Sequence, residues 1–201
     1  MSANNLVVPA PRRDVLVTNR LLGTLGMLAG PMMLAEMLIF GFTQHGSNRV
    51  VGVLGVIYIA GWICTAAGMR RSRVTGDTAV SRGAFVVQLA GLLLAFLWAL
   101  LEIIHSGVDM GGVFYRVTDA AWPLSHLFML VVGVLTVRGK VWGGWRKFTP
   151  FLAGLALPIA VAAAAVAGQA GMGIAFGVMT TAGFLALGYA LRTESGVPGR
   201  V

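Results

Sequence analysis

Charge is what this sequence lacks most. Only 11% of its 201 residues are Asp, Glu, Lys or Arg, against roughly 25% in an ordinary soluble domain. So few charges cannot cover a water-facing surface, which excludes a freestanding globular protein. Cysteine is almost absent as well. With Cys64 alone, neither an intramolecular disulfide nor a thiolate metal cluster can form. Cys64 falls inside an apolar run and reads as a small buried residue. The 28 glycines compose no phosphate-cradling loop, nucleophile elbow or dinucleotide fingerprint, so the well-marked nucleotide and serine-hydrolase classes are missing too.

What the chain has is apolar length. It is 57% hydrophobic, with a mean hydropathy of +0.84, concentrated in runs at 21–42, 50–69, 84–104, 120–137, 150–167 and 171–191. Each is near the ~20 residues that carry a helix across a hydrocarbon core about 30 Å thick. The runs are continuously apolar rather than alternating, which argues against a β-barrel. Backbone in lipid must satisfy its own hydrogen bonds, which leaves helices. The expectation is an all-α, polytopic integral membrane protein with six transmembrane helices and no soluble domain. Residues 1–20 form a cytoplasmic tail, 21–191 the six-helix unit and 192–201 a second cytoplasmic tail. The first run is long and follows polar, proline-containing sequence, so it reads as a retained anchor rather than a cleaved signal.

The net charge of +8 invites a nucleic-acid reading, but its distribution excludes one. Arg12, Arg13 and Arg20 precede the first span. Arg70, Arg71, Arg73 and Arg82 lie between the second and third. Arg138, Lys140, Arg146 and Lys147 separate the fourth and fifth, and Arg192 and Arg200 follow the sixth. Only Arg49 and Arg116 occupy the alternate loops. The positive-inside rule then puts both termini in the cytoplasm of a bacterial-type inner membrane. The partner implied is the lipid bilayer and its anionic headgroups, and no nucleic acid.

Local signals add detail. Pro31 and Pro158 should kink the first and fifth spans. The "GQAG" stretch at 168–171 should be a tight turn joining spans five and six. Thr18 or Asn19 is a candidate cap for span one, and Asp119 for span four, with Pro123 in its first turn. The pairs Gly26/Gly30 and Gly173/Gly177 allow close helix neighbours. Together with the Ala- and Gly-rich last spans they would suit a homo-oligomer or a partner in a membrane complex. Trp142 and Trp145 among basic residues read as an interface belt. No internal repeat relates the two halves, which counts against an inverted-repeat transporter.

Against this background the polar residues stand out. In "LLEIIHSGVDM", Glu102, His105 and Asp109 fall three and four residues apart, on one side of a continuing helix. Ionisable groups in lipid cost about 2.5 kcal/mol or more at the bilayer centre, so each needs a reason. The topology puts Glu36, Glu102, His105 and His126 at one level in the outer leaflet. Asp109, Asp119, Arg116 and His45 belong to the outer loops. The expectation is a ligand-binding pocket open to the exterior, with the stripe Glu102, His105 and Asp109 as its edge and Glu36 and His126 as its floor. Ser125, Trp98, Trp122 and Tyr58 are candidate walls.

Such a pocket suits a cation, a proton or a small polar ligand, for permeation or sensing. The alternative class is an enzyme or redox protein. Glu102 and His105 have the i, i+3 spacing of di-iron carboxylate bundles, with Glu36 and His126 as completing ligands for a divalent metal. Haem between His105 and His126 is a further option. Met27, Met32, Met33 and Met37 raise copper(I), but flexible filling of a kinked helix accounts for them more simply. A non-catalytic subunit of a membrane complex is the third reading.

Overall fold

A computed structural model describes residues 13–41, 48–105 and 112–194, with side chains from Thr18 onward. All regular structure among them is helical: α1 (Arg13–Ala29), α2 (Met32–Phe40), α3 (Arg49–Arg71), α4 (Ala79–Ile104), α5 (Val113–Gly139), α6 (Thr149–Gly154) and α7 (Ala156–Arg192), with a 3-10 turn at Gly144–Phe148. Five helical stretches are long and apolar enough to cross a membrane. Leucines and valines such as Leu28, Leu38, Val86, Leu93 and Leu124 point outward. In water that much exposed apolar surface would aggregate; facing lipid tails it is the expected exterior. The chain is a multi-pass membrane protein.

Prolines set the breaks. Pro31 has no N–H for the carbonyl of Met27, and α1 gives way to α2 at Gly30–Pro31. Pro158 likewise cannot pair with Gly154, where α6 ends before α7 begins. Helix α7 is itself two arms. Gly168 sits at φ 65°, ψ −161°, a region open essentially to glycine alone. A side chain built on Gly183 would lie 2.7 Å from the Cα of Ala153. An unbroken 37-residue helix would be about 55 Å long, so the chain must reverse between the arms for those residues to touch. The turn expected at 168–171 is therefore present.

Two caps differ from expectation. Asn19 does not cap α1, which begins at Arg13; it is buried within that helix and bonded elsewhere. Asp119 does not cap α5 either. That helix starts at Val113 after Gly112, which puts Pro123 well inside it. The extension follows from amphipathicity: Val113, Phe114 and Val117 face outward while Thr118 is buried. Arg116 and Asp119 interrupt the apolar run in sequence without interrupting the helix. Asn48 and Thr78, by contrast, do cap α3 and α4, accepting from Val50 N at 2.9 Å and Ser81 N at 3.1 Å.

Packing follows chain order and then closes. α3 lies against α1 and α4, α4 against α5, α5 against α6, and α6 against the outgoing arm of α7. That arm returns to α1 and α2. The closure depends on glycine: the Cβ positions of Gly23 and Gly188 each run into the other's backbone carbonyl, so neither tolerates a side chain. Gly26 meets Thr65 of α3, and Gly30, one turn on, meets Phe184 of α7. The first rod is thus held between the second and the last.

One end of this ring is tied by polar contacts. The Glu194 carboxylate accepts from Asn19 Nδ2 at 3.0 Å, from Ser72 Oγ and from Trp142 Nε1 at 3.3 Å. Arg146 donates to the carbonyl of Thr193 at 3.0 Å. Trp142 is therefore a buried tie between segments rather than a belt residue, whereas Trp145 is exposed and stacks on Tyr189 at 6.1 Å. The basic loops converge at this end. The polar residues of interest lie at the other.

Candidate functional site

At that opposite end the ring encloses a cavity of about 410 Å³. Every rod contributes. α2 supplies Met33, Glu36, Met37 and Phe40; α3 supplies Val51, Gly55 and Ile59; α4 supplies Trp98. Asp119 and Trp122 come from α5, and Leu157, Met172 and Phe176 from the two arms of α7. The Pro31 break lets α2 leave the axis of α1 just below the turn that carries Glu36.

The carboxylates gather here. Glu36 and Asp119 both line the cavity. Glu102 lies behind, 6% exposed, accepting a hydrogen bond from Tyr115 Oη at 3.1 Å. Glu36 is close enough to Glu102, and Glu102 to Asp119, for each pair to repel. No hydrogen bond or ion pair engages the Glu36 or Asp119 side chain among the described residues. The ion pairs found, Arg70–Asp77 at 3.7 Å and Arg73–Asp77 at 3.2 Å, are at the far end. A protein with a formal charge of +8 thus carries a locally acidic hollow.

His126 is nearby but outside it. Fully buried, it is hydrogen-bonded through Nε2 to Tyr58 Oη at 3.1 Å. Its ring is enclosed by Trp62 at 4.3 Å, Phe176 at 5.2 Å, Trp122 at 5.3 Å and Tyr58 at 6.2 Å between centroids. Its Nδ1 faces the backbone of Ala153 without a well-formed hydrogen bond. Trp122 and Phe176 belong both to this cage and to the cavity wall, so one layer of rings separates His126 from the hollow. Such an arrangement fixes the imidazole and rigidifies the centre of the bundle.

The expected site residues thus divide. Glu36, Trp98 and Trp122 line the cavity, and Glu102 backs it. Tyr58 and His126 form the layer beneath, and no hydrogen bond or ion pair joins His126 to Glu36. Ser125 is not a wall residue: its Oγ bonds back to Ala121 O at 2.7 Å, and the residue packs against Gly91 of α4. His105 is exposed at the C-terminal end of α4. Asp109 and His45 lie outside the described residues. Among the described residues no three His, Cys, Asp or Glu side chains come within reach of one ion. Glu36, Glu102, His105 and His126 therefore do not form such a group among the described residues; His105 is exposed and His126 is caged.

Sequence reasoning missed Asp119 as a cavity residue because it was read as a cap. Tyr115, Phe40, Phe176 and Met172 carried no signal beyond apolarity. No protein-family model, curated protein or solved structure matches this chain.

Proposed function

We propose that this chain is a six-span protein of a bacterial-type inner membrane, with both termini cytoplasmic, whose extracytoplasmic vestibule takes up a cation for permeation or sensing. Counting the two arms of α7 separately supports the sixth span. The basic residues at the Glu194 end support the orientation, because cytoplasmic loops carry the Lys and Arg excess. The observation carrying the functional reading is the pair Glu36 and Asp119, which face one cavity, enter no ion pair among the described residues, and have Glu102 nearby. Carboxylates held together inside a bundle repel one another, and a cation entering the hollow relieves that repulsion.

Isothermal titration of the purified protein with monovalent, divalent and organic cations tests this. Saturable binding that weakens at least roughly tenfold in Glu36→Gln and Asp119→Asn is the expected result, a tenfold change being about 1.4 kcal/mol. Binding indifferent to both substitutions would refute the site. Flux into proteoliposomes then separates permeation from sensing.

A further inference from the structure

The vestibule's walls say more about the occupant than its charge does. We infer that it is shaped for an organic cation carrying an apolar or aromatic body, such as a quaternary ammonium or a protonated arylalkylamine; this rests on the cation-binding reading above.

A bare metal ion is poorly served here. Calcium takes six to eight oxygen ligands, and magnesium keeps an octahedral set with several waters. Among the described residues the side-chain oxygens of the hollow are those of Glu36 and Asp119, and the other lining side chains are aliphatic, thioether or aromatic. Most of the lining is helical, with carbonyls committed to the backbone ladder; the end of α2 at Phe40 and Gly41 is the exception.

What the walls do offer is aromatic and polarizable surface. Phe40, Trp98, Trp122 and Phe176 surround the cavity from four different rods. Aromatic faces attract cations through the ring quadrupole, Trp best of all, and quaternary ammonium groups are the usual cargo of such cages. Met33, Met37 and Met172 add flexible thioether contacts that adapt to varied apolar shapes. The volume of about 410 Å³ falls in the roughly 300–1,000 Å³ range of small-molecule pockets, far above what one ion requires. A positive head against the two carboxylates, with its apolar body among the rings, satisfies both halves of the lining.

The test uses the full-length protein in detergent or nanodiscs. Benzyltrimethylammonium is the probe, compared with its neutral carbon isostere neopentylbenzene and with potassium and calcium chloride. The expected result is saturable binding of the organic cation, at least roughly tenfold tighter than of either neutral isostere or metal salts. Glu36→Gln and Trp98→Leu should each weaken it by roughly tenfold. Unliganded melting curves of both variants exclude simple misfolding, and Asp119→Asn, at a more exposed position, provides a second charge variant. Tighter, carboxylate-dependent binding of potassium or calcium would overturn the ligand class and leave the vestibule a cation site. Equal affinity for neopentylbenzene, or no binding of any cation, would overturn both readings.

Discussion

Replacing Glu194 by alanine tests how the ring is held at its basic end. The carboxylate is the acceptor for Asn19, Ser72 and Trp142, which come from the first rod, the α3–α4 connection and the α5–α6 connection. Asn19 is 1% exposed and Trp142 4%, so the freed donors have little water to turn to. A hydrogen bond to a charged group contributes about 1.5–3 kcal/mol, and a stranded buried donor costs about 1–3 kcal/mol. Asn19 keeps its 2.7 Å bond to Ser72, and the Trp142 bond is long. The sum is therefore reduced to about 2–4 kcal/mol. At about 2–4 °C per kcal/mol for a chain of this size, melting should fall by roughly 4–16 °C. Glu194→Gln, which keeps an acceptor and the shape, should lose about half as much. Fluorescence-detected melting of detergent-solubilised protein reads this directly. A Glu194→Ala curve within 1 °C of the parent, roughly the resolution of such assays, would refute a clasp built on that carboxylate.

Tyr58→Phe removes the hydroxyl bonded to His126 and leaves Nε2 buried and unpaired; a loss of about 1–3 kcal/mol is expected, with much of it recovered in Tyr58→Phe/His126→Leu. Chemical or thermal melts of the single and double variants check this, and a double variant worse than the sum would oppose it. Gly168→Ala forces a side chain into backbone at φ 65° and should cost about 1–3 kcal/mol, read as lower melting; an unchanged melting point would mean that the reversal is not strained there. For topology, in a Cys64→Ser background, Gly112→Cys should react with an impermeant maleimide from outside the cell and Gly143→Cys only after lysis. Both glycines have open space around an added side chain, so the reverse labelling pattern would invert the proposed orientation.

Much of the fold was legible because lipid imposes simple rules. Apolar runs of the right length became helices, Pro31 and Pro158 broke them, and the glycine at 168 turned the chain. The boundaries that went astray were those where polarity was mistaken for a helix end. Arg116 and Asp119 ride on α5 because one face of its first turns looks outward and the other looks into the cavity. Residue counting along the spans put Glu36 and Glu102 at one level, and the two lie near each other. Rotation about each helix axis could not be read that way. Ser125 and His126 are neighbours in sequence, yet one spends its hydroxyl on its own helix while the other sits in a cage built from three helices. Only the packing of Trp122 and Phe176 reveals that His126 is screened from the hollow.

The contact of Gly23 with Gly188 has a consequence for how the protein is made. The two residues that seal the circle are separated by 165 positions, so the groove along the first rod stays bare to lipid until the ribosome has delivered the final arm. A nascent chain halted near residue 167 would hold most of its hydrophobic mass in the bilayer with an unfilled seam. Stabilisation should therefore arrive late and abruptly, as the last arm slides into place and Glu194 fastens behind it.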